Sequence, residues 1–112
     1  MQIYIKTDKI MVMSDLDGFS NKFLVLDITG NYSRVEKYAM ENNRQRVEQF
    51  LNEANIVLQE LNKRALSKIG ENTLIAWKGY FERVHNPKKL DRDYVDDVIT
   101  LDTVLTGRAS LF

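Results

Sequence analysis

The first 30 residues show the hydrophobic pattern of short β-strands. Apolar and polar residues alternate over residues 2–7, and short apolar runs cover residues 10–13 and 23–28. Alternation with a period of two is typical of a strand with one buried face. The connection over residues 14–22, SDLDGFSNK, is rich in turn formers. The pattern therefore predicts an antiparallel β-meander of about three strands in residues 1–30.

From residue 33 onward the period changes to that of an α-helix. Ser33 and Glu36 fit a capping box, and Gly70 is a natural stop, so a long or broken helix is predicted over residues 33–69. Apolar side chains recur at spacings of three and four and form one broad face. This face comprises Val47, Phe50, Leu51, Ala54, Val57, Leu58, Leu61 and Ala65.

The length of this predicted helix requires an explanation. A continuous helix from residue 34 to residue 69 would be about 54 Å long, whereas a small domain is about 30 Å across. One solution is a break within residues 41–46, ENNRQR, where polar positions interrupt the apolar face. The other is a projecting helix that buries its face on a second copy, which would make the chain a homodimer. The pattern leaves both solutions open.

Two further helices are predicted over residues 72–85 and 91–106. Apolar residues at helical spacing precede the terminator Pro87 in the first, although its aromatic-rich run is also compatible with a strand. Asp91 is the predicted cap of the second, which ends at Gly107. Together with the meander, these helices predict an α+β fold in which the helices pack on one face of a small sheet.

Composition narrows the classes of function. The 112 residues leave no room for a second domain, and 16 basic residues balance 16 acidic ones, so the basic excess typical of nucleic-acid binding is missing. The absence of cysteine excludes disulfides and thiolate metal sites. No apolar window approaches the roughly 20 residues that span a bilayer. We therefore expect a single cytoplasmic domain without a cofactor.

The segment IMVMSDLDG is the strongest candidate for a catalytic motif. It resembles motif I of the haloacid dehalogenase phosphatases, and SDLDGF also resembles the metal-binding strand end of diguanylate cyclases. The resemblance implies Mg²⁺-dependent phosphoryl transfer, with Asp15 as the nucleophile and Asp17 as the acid or base. Two carboxylates at the end of a strand can hold Mg²⁺ against a phosphate.

The length of the following connection argues against this catalytic interpretation. The nine residues of 14–22 are too few for the crossover that joins parallel strands, and they show no helical pattern, so a hairpin is expected. A hairpin would place Thr29, the candidate for a second phosphatase motif, about 20 Å away at the opposite end of the sheet. We therefore expect Asp15 and Asp17 to be turn residues and the chain not to be an enzyme.

The remaining polar and aromatic residues favour structural roles. His85 is the only histidine and is expected to be either a cation near the C-terminal end of a helix or a plain surface residue. The basic residues have acidic neighbours, as solvated helix faces do, and the aromatic ones have the spacing of core positions. These basic and aromatic residues are Arg44, Arg46, Lys88, Lys89, Arg92, Trp77, Tyr80 and Phe81.

The tail over residues 107–112 ends in RASLF. Its last three residues, Ser110, Leu111 and Phe112, resemble the short peptides by which polymerases and phage replication or transcription factors attach to DNA sliding clamps. The resemblance implies an accessory protein that docks on a clamp through this tail. The alternative is an apolar tail that folds back on its own domain.

Three hypotheses of function follow. The first is a small non-enzymatic adaptor or inhibitor, of the sort that phages and mobile elements encode, which binds another protein through a helical face or as a homodimer. The second is a replication or transcription accessory that uses residues 110–112. The third is a Mg²⁺-dependent phosphoryl-transfer enzyme that uses Asp15 and Asp17. Direct binding to nucleic acid or to a membrane is not expected.

Overall fold

The computed structural model describes residues 16–112, and this part of the chain consists of helices with no β-strand. The predicted α+β fold is therefore wrong for the described residues. The predicted strands at 2–7 and 10–13 lie outside them. The helices are α1 (Asn21–Met40), α2 (Arg44–Lys63), α3 (Lys68–Ala76), α4 (Lys78–His85) and α5 (Arg92–Arg108), followed by a 3₁₀ turn (Ala109–Leu111).

The run at 23–28, predicted to be the third strand, lies in the first turns of α1. Ser20 caps this helix, because its side chain accepts a hydrogen bond of 3.1 Å from the Phe23 N–H. The run is apolar at nearly every position, so its periodicity does not separate a strand from a buried helix. The predicted capping box at Ser33 and Glu36 is also wrong, since both residues lie within α1.

The predicted long helix is broken. α1 ends at Met40, and α2 starts at Arg44 with the Asn43 side chain as its cap, so the break falls in the polar segment. Asn42 has a positive φ of 53°, a left-handed conformation that asparagine tolerates better than most residues. The short turn folds α2 back along α1 as an antiparallel helical hairpin. The sequence pattern allowed either a break in the helix or a projecting helix, and the structure shows the break.

Two glycines do not end helices as predicted. Gly70 lies in the first turn of α3, which Ser67 caps, and Gly107 lies inside α5. The predicted helix at 72–85 corresponds to two helices, α3 and α4, which meet at Trp77. Glycine marks a helix end only where the backbone becomes left-handed, and no described glycine has a positive φ.

The core lies around α1, the central helix. α1 packs against α2 and α5, and α4 packs against α5. A side-chain hydrogen bond of 3.1 Å from Ser33 on α1 to Asp102 links α1 with α5. The buried apolar side chains are Leu16, Leu24, Val25, Ile28, Tyr32, Val35, Ala39, Val47, Leu51, Ala54, Val57, Leu61, Val84, Tyr94, Val98, Leu101, Leu105 and Ala109.

Arg64 links the segment before α1 to the end of α2 by hydrogen bonds. Its guanidinium donates to the carbonyl oxygen of Leu16 at 2.7 Å and to the carbonyl oxygen of Phe19. A salt bridge of 3.0 Å to Glu60, one turn earlier on α2, holds the arginine in place. Hydrogen bonds from a charged donor to partly buried carbonyls are among the stronger ones in proteins. The turn that contains Asp17 is thereby held against the helical hairpin.

Candidate functional site

Met40 exposes most of its side chain in a groove between the end of α1 and the start of α5. The groove has a volume of about 510 Å³. Its floor is apolar. It is formed by Ala39 and Met40 from α1, Leu90 from the loop before α5, and Val95 and Ile99 from α5. Met40 is 70% exposed and Ile99 is 39% exposed. We call this surface the α1–α5 groove.

The rim of the α1–α5 groove is acidic. Glu36 on α1 and Asp91 and Asp96 at the start of α5 line it, together with one cation, Arg92. Within residues 16–112, none of these three carboxylates forms a salt bridge. Asp91 accepts a hydrogen bond of 3.0 Å from the Tyr94 N–H as the cap of α5, which keeps its carboxylate at the edge of the groove. The groove thus combines an apolar floor with a net negative rim.

A polar contact stiffens the helix pair beyond the groove. Asp102 accepts hydrogen bonds from Ser33 at 3.1 Å and from Thr106 at 3.2 Å. Burial raises the pKa of the Asp102 carboxyl. The Ser33 bond crosses between the helices and adds a polar link to the packing of α1 against α5.

The D-x-D-G motif is only partly described. Asp15 lies outside the described residues, and Asp17 and Gly18 are exposed in the turn that leads into α1. The hairpin predicted after the motif is wrong, because a helix follows, and Thr29 is buried within that helix. The phosphatase resemblance also implies a parallel sheet, and residues 16–112 contain no strand. In the same residues, no three acidic or histidine side chains are grouped as metal ligands.

The α2 face predicted as a dimer interface is used inside the chain. It packs against α1, so the projecting helix that the dimer required does not occur. Phe50 and Leu58 are half-buried at the edges of this face and contact the core. The fully buried members are Val47, Leu51, Ala54, Val57 and Leu61.

The tail is packed against the start of α3. The Ser67 N–H donates to the Phe112 carbonyl oxygen at 3.1 Å, and the Ser67 hydroxyl donates to the carbonyl oxygen of Leu111. Phe112 is half-buried, whereas Ser110 and Leu111 are exposed. For the predicted docking on a sliding clamp, the tail would first have to detach from α3.

Gly70 provides a test of this packing. A Cβ at Gly70 would lie 3.0 Å from Phe112 Cδ2 and 3.3 Å from Phe112 Cα, so we expect Gly70→Ala to destabilise the fold by about 1 kcal/mol. Nothing lies within 4 Å of a Cβ at Gly107, so Gly107→Ala should stabilise α5 by about 0.5–1 kcal/mol. Urea unfolding followed by circular dichroism measures both. If both variants stabilised the fold equally, the finding that the tail packs against Gly70 would be contradicted.

His85 is half-buried at the end of α4 and is not the surface cation that was predicted. Its Nε2 lies 2.7 Å from the Tyr32 hydroxyl of α1, and the two rings meet edge-on with centroids 5.6 Å apart. Burial lowers the pKa of His85 to about 4 and raises that of the Tyr32 hydroxyl. His85 is therefore neutral near pH 7, and the pair joins α4 to α1. Tyr32 was missed in the sequence because the helix was predicted to begin at residue 33, after this tyrosine.

Several of the basic and aromatic residues singled out in the sequence have structural contacts. Arg44 donates to the carbonyl oxygens of Pro87 and Lys88 at 3.2 and 3.1 Å, which holds the loop before α5. Arg83 forms a salt bridge of 3.0 Å with Asp97. The aromatic residues Trp77, Tyr80 and Phe81 are half-buried and pack against the core. Arg46, Lys88, Lys89 and Arg92 are exposed.

Comparison with known proteins does not assign the chain to a family. No protein-family model, no curated protein and no solved structure matches it. Among residues 16–112, no helix has both the length and the apolar character needed to cross a membrane. The function is therefore inferred from the chain's own surface, since a fold alone does not define an activity.

Proposed function

We propose that this chain is a non-enzymatic adaptor or inhibitor domain that binds a helical segment of another protein in the α1–α5 groove. The observation that carries the proposal is the exposure of Met40 and Ile99, 70% and 39%, on the floor of one concave surface. An apolar centre surrounded by a polar rim, as in this groove, is the arrangement that protein–protein interfaces have. Methionine is well suited to such a site because its flexible side chain adapts to the surface it meets.

The shape of the α1–α5 groove suits a helix. Two neighbouring helices form its walls, and the lining residues of α5, from Arg92 to Ile99, cover about 12 Å of helix. Two to three turns of a third helix fit this length. Recognition of this kind uses apolar side chains at helical spacing as anchors in the groove, with polar contacts at the rim.

The size of the α1–α5 groove limits the affinity. Each large apolar side chain that is buried contributes about 1.5–3 kcal/mol, and association costs at least about 4 kcal/mol in lost freedom of motion. Two or three anchors, together with the burial of Met40 and Ile99, leave a net affinity on the order of micromolar. A transient contact of this strength suits an adaptor or inhibitor.

The proposal is tested by selecting helix-forming peptides from a display library against the full chain. We expect the selected peptides to bind with a Kd on the order of micromolar and to lose about tenfold or more in affinity to Met40→Gln or Ile99→Gln. Both substitutions change exposed side chains, so the fold is retained, which circular dichroism verifies. Ile75→Gln is the matched control, since Ile75 is 73% exposed on α3, outside the groove.

Two outcomes would contradict the proposed function. One is a selection that yields no peptide whose binding depends on Met40 or Ile99. The other is a set of peptides that Ile75→Gln weakens while the variants in the α1–α5 groove do not, because such peptides would bind the surface beside α3 instead.

A further inference from the structure

We infer that the segment bound in the α1–α5 groove is a basic amphipathic helix, with Lys or Arg on both sides of an apolar seam. The inference rests on the proposed function and adds the chemistry of the partner. Its basis is the acidic rim, where Glu36, Asp91 and Asp96 face a single cation, Arg92.

The three rim carboxylates are available to a partner. Glu36 is half-exposed and Asp91 and Asp96 are exposed, and none of them has a salt bridge to another residue in 16–112. By contrast, Asp97 on the neighbouring side of α5 is paired with Arg83 at 3.0 Å. Carboxylates without a salt bridge around an apolar floor attract a cationic segment and repel an acidic one, including the phosphates of a nucleic acid.

The positions of the carboxylates define the pattern of the partner. Glu36 lies one turn before Met40 on α1, and Asp96 lies one turn before Ile99 on α5. Each free carboxylate is therefore about one helical turn from an apolar floor residue, and the two lie on opposite walls of the groove. A partner helix can pair with both carboxylates when it carries a cation on each side of its apolar anchors. Each cation then lies three or four residues from the nearest anchor.

The inference is tested with two synthetic helical peptides that share a leucine seam. One carries Lys at the flanking positions and the other carries Glu. We expect the Lys peptide to bind the full-length chain about tenfold or more tightly than the Glu peptide at low salt, and the difference to shrink at high salt. The double variant Glu36→Lys, Asp96→Lys should abolish or reverse this preference. Glu71→Lys, Glu82→Lys, at exposed positions of α3 and α4 outside the groove, is the charge-matched control and should leave it nearly unchanged.

The outcomes separate the inference from the proposed function. If both peptides bind equally and Met40→Gln weakens both, the inference of a basic partner is wrong, while the proposed binding in the α1–α5 groove stands. Binding of neither peptide to the wild-type chain overturns both. Binding of a Lys peptide with a scrambled seam as tightly as the intact one overturns the inference, because charge alone would then suffice. A wild-type dimer in sedimentation that Met40→Gln dissociates would make a second copy the occupant, which also overturns it.

Discussion

Replacing Ile28 by alanine is expected to lower the free energy of unfolding by about 2–5 kcal/mol, the range for large-to-small changes in protein cores. Ile28 is fully buried on α1, the helix that packs against both α2 and α5. The variant leaves a cavity that neighbouring helices fill only in part. The same change at Ile75, which is 73% exposed, should alter stability by less than about 0.5 kcal/mol. Urea unfolding of the two variants measures the difference.

A second control separates the helix from the strand that the sequence pattern predicted. In a strand, Leu26 and Ile28 would share one face, and their alanine variants would be similarly destabilised. In α1, Leu26 is 40% exposed while Ile28 is buried. We therefore expect Leu26→Ala to cost clearly less than Ile28→Ala, since Leu26 already exposes 40% of its surface to water whereas Ile28 exposes none. Equal losses at the two positions would contradict the helical assignment.

Acidification is expected to destabilise the fold through His85. The pKa of His85 is about 4 in the folded chain, compared with an ordinary value of 6.5, because the ring is buried. Between these values the unfolded chain binds a proton that the folded chain does not, so stability falls as the pH falls from 6.5 toward 4. The full loss is about 3 kcal/mol. Below about pH 4 the contribution of His85 stops changing, since both states are then protonated.

His85→Gln isolates this effect from other titrating groups. Burial raises the pKa values of the Glu53 and Asp102 carboxyls, and this shift acts in the opposite direction, since the folded state holds those protons more readily. Arg44 and Glu48 line the pocket next to His85 and are kept in both proteins. The difference in stability between wild type and variant should therefore shift in favour of the variant as the pH falls from 6.5 to 4. Parallel pH profiles of the two proteins would refute a buried neutral histidine.

The hydrophobic pattern of the sequence was sufficient to predict α2 but not the first turns of α1. The α2 face was recognised because apolar residues recur among polar ones at helical spacing from Val47 to Leu61. The run at 23–28 has too few polar positions to show either period. The available signals were Ser20 as a cap and the continuation of the apolar face through Tyr32, Val35 and Ala39, which a strand of six residues cannot explain.

The candidate site could not be predicted because it depends on tertiary packing. Met40 is the last residue of α1, and Ile99 lies in the middle of α5. They share a floor only because the two helices pack side by side, which no local spacing encodes. The same limit applies to the α2 face. Its apolar pattern showed that it would be buried, but not whether α1 or a second copy would cover it.

The most direct test of the account is an NMR titration of the full-length chain with the Lys-flanked leucine-seam peptide. We expect the largest chemical-shift changes at the methyl groups of Met40, Val95 and Ile99, and almost no change in the Ile75 methyl signals. We also expect Met40→Gln to reduce the changes at Val95 and Ile99 at the same peptide concentration. Shifts centred on α3 and the tail, or no shifts in the α1–α5 groove at saturating peptide, would contradict the claim that this groove is the binding surface.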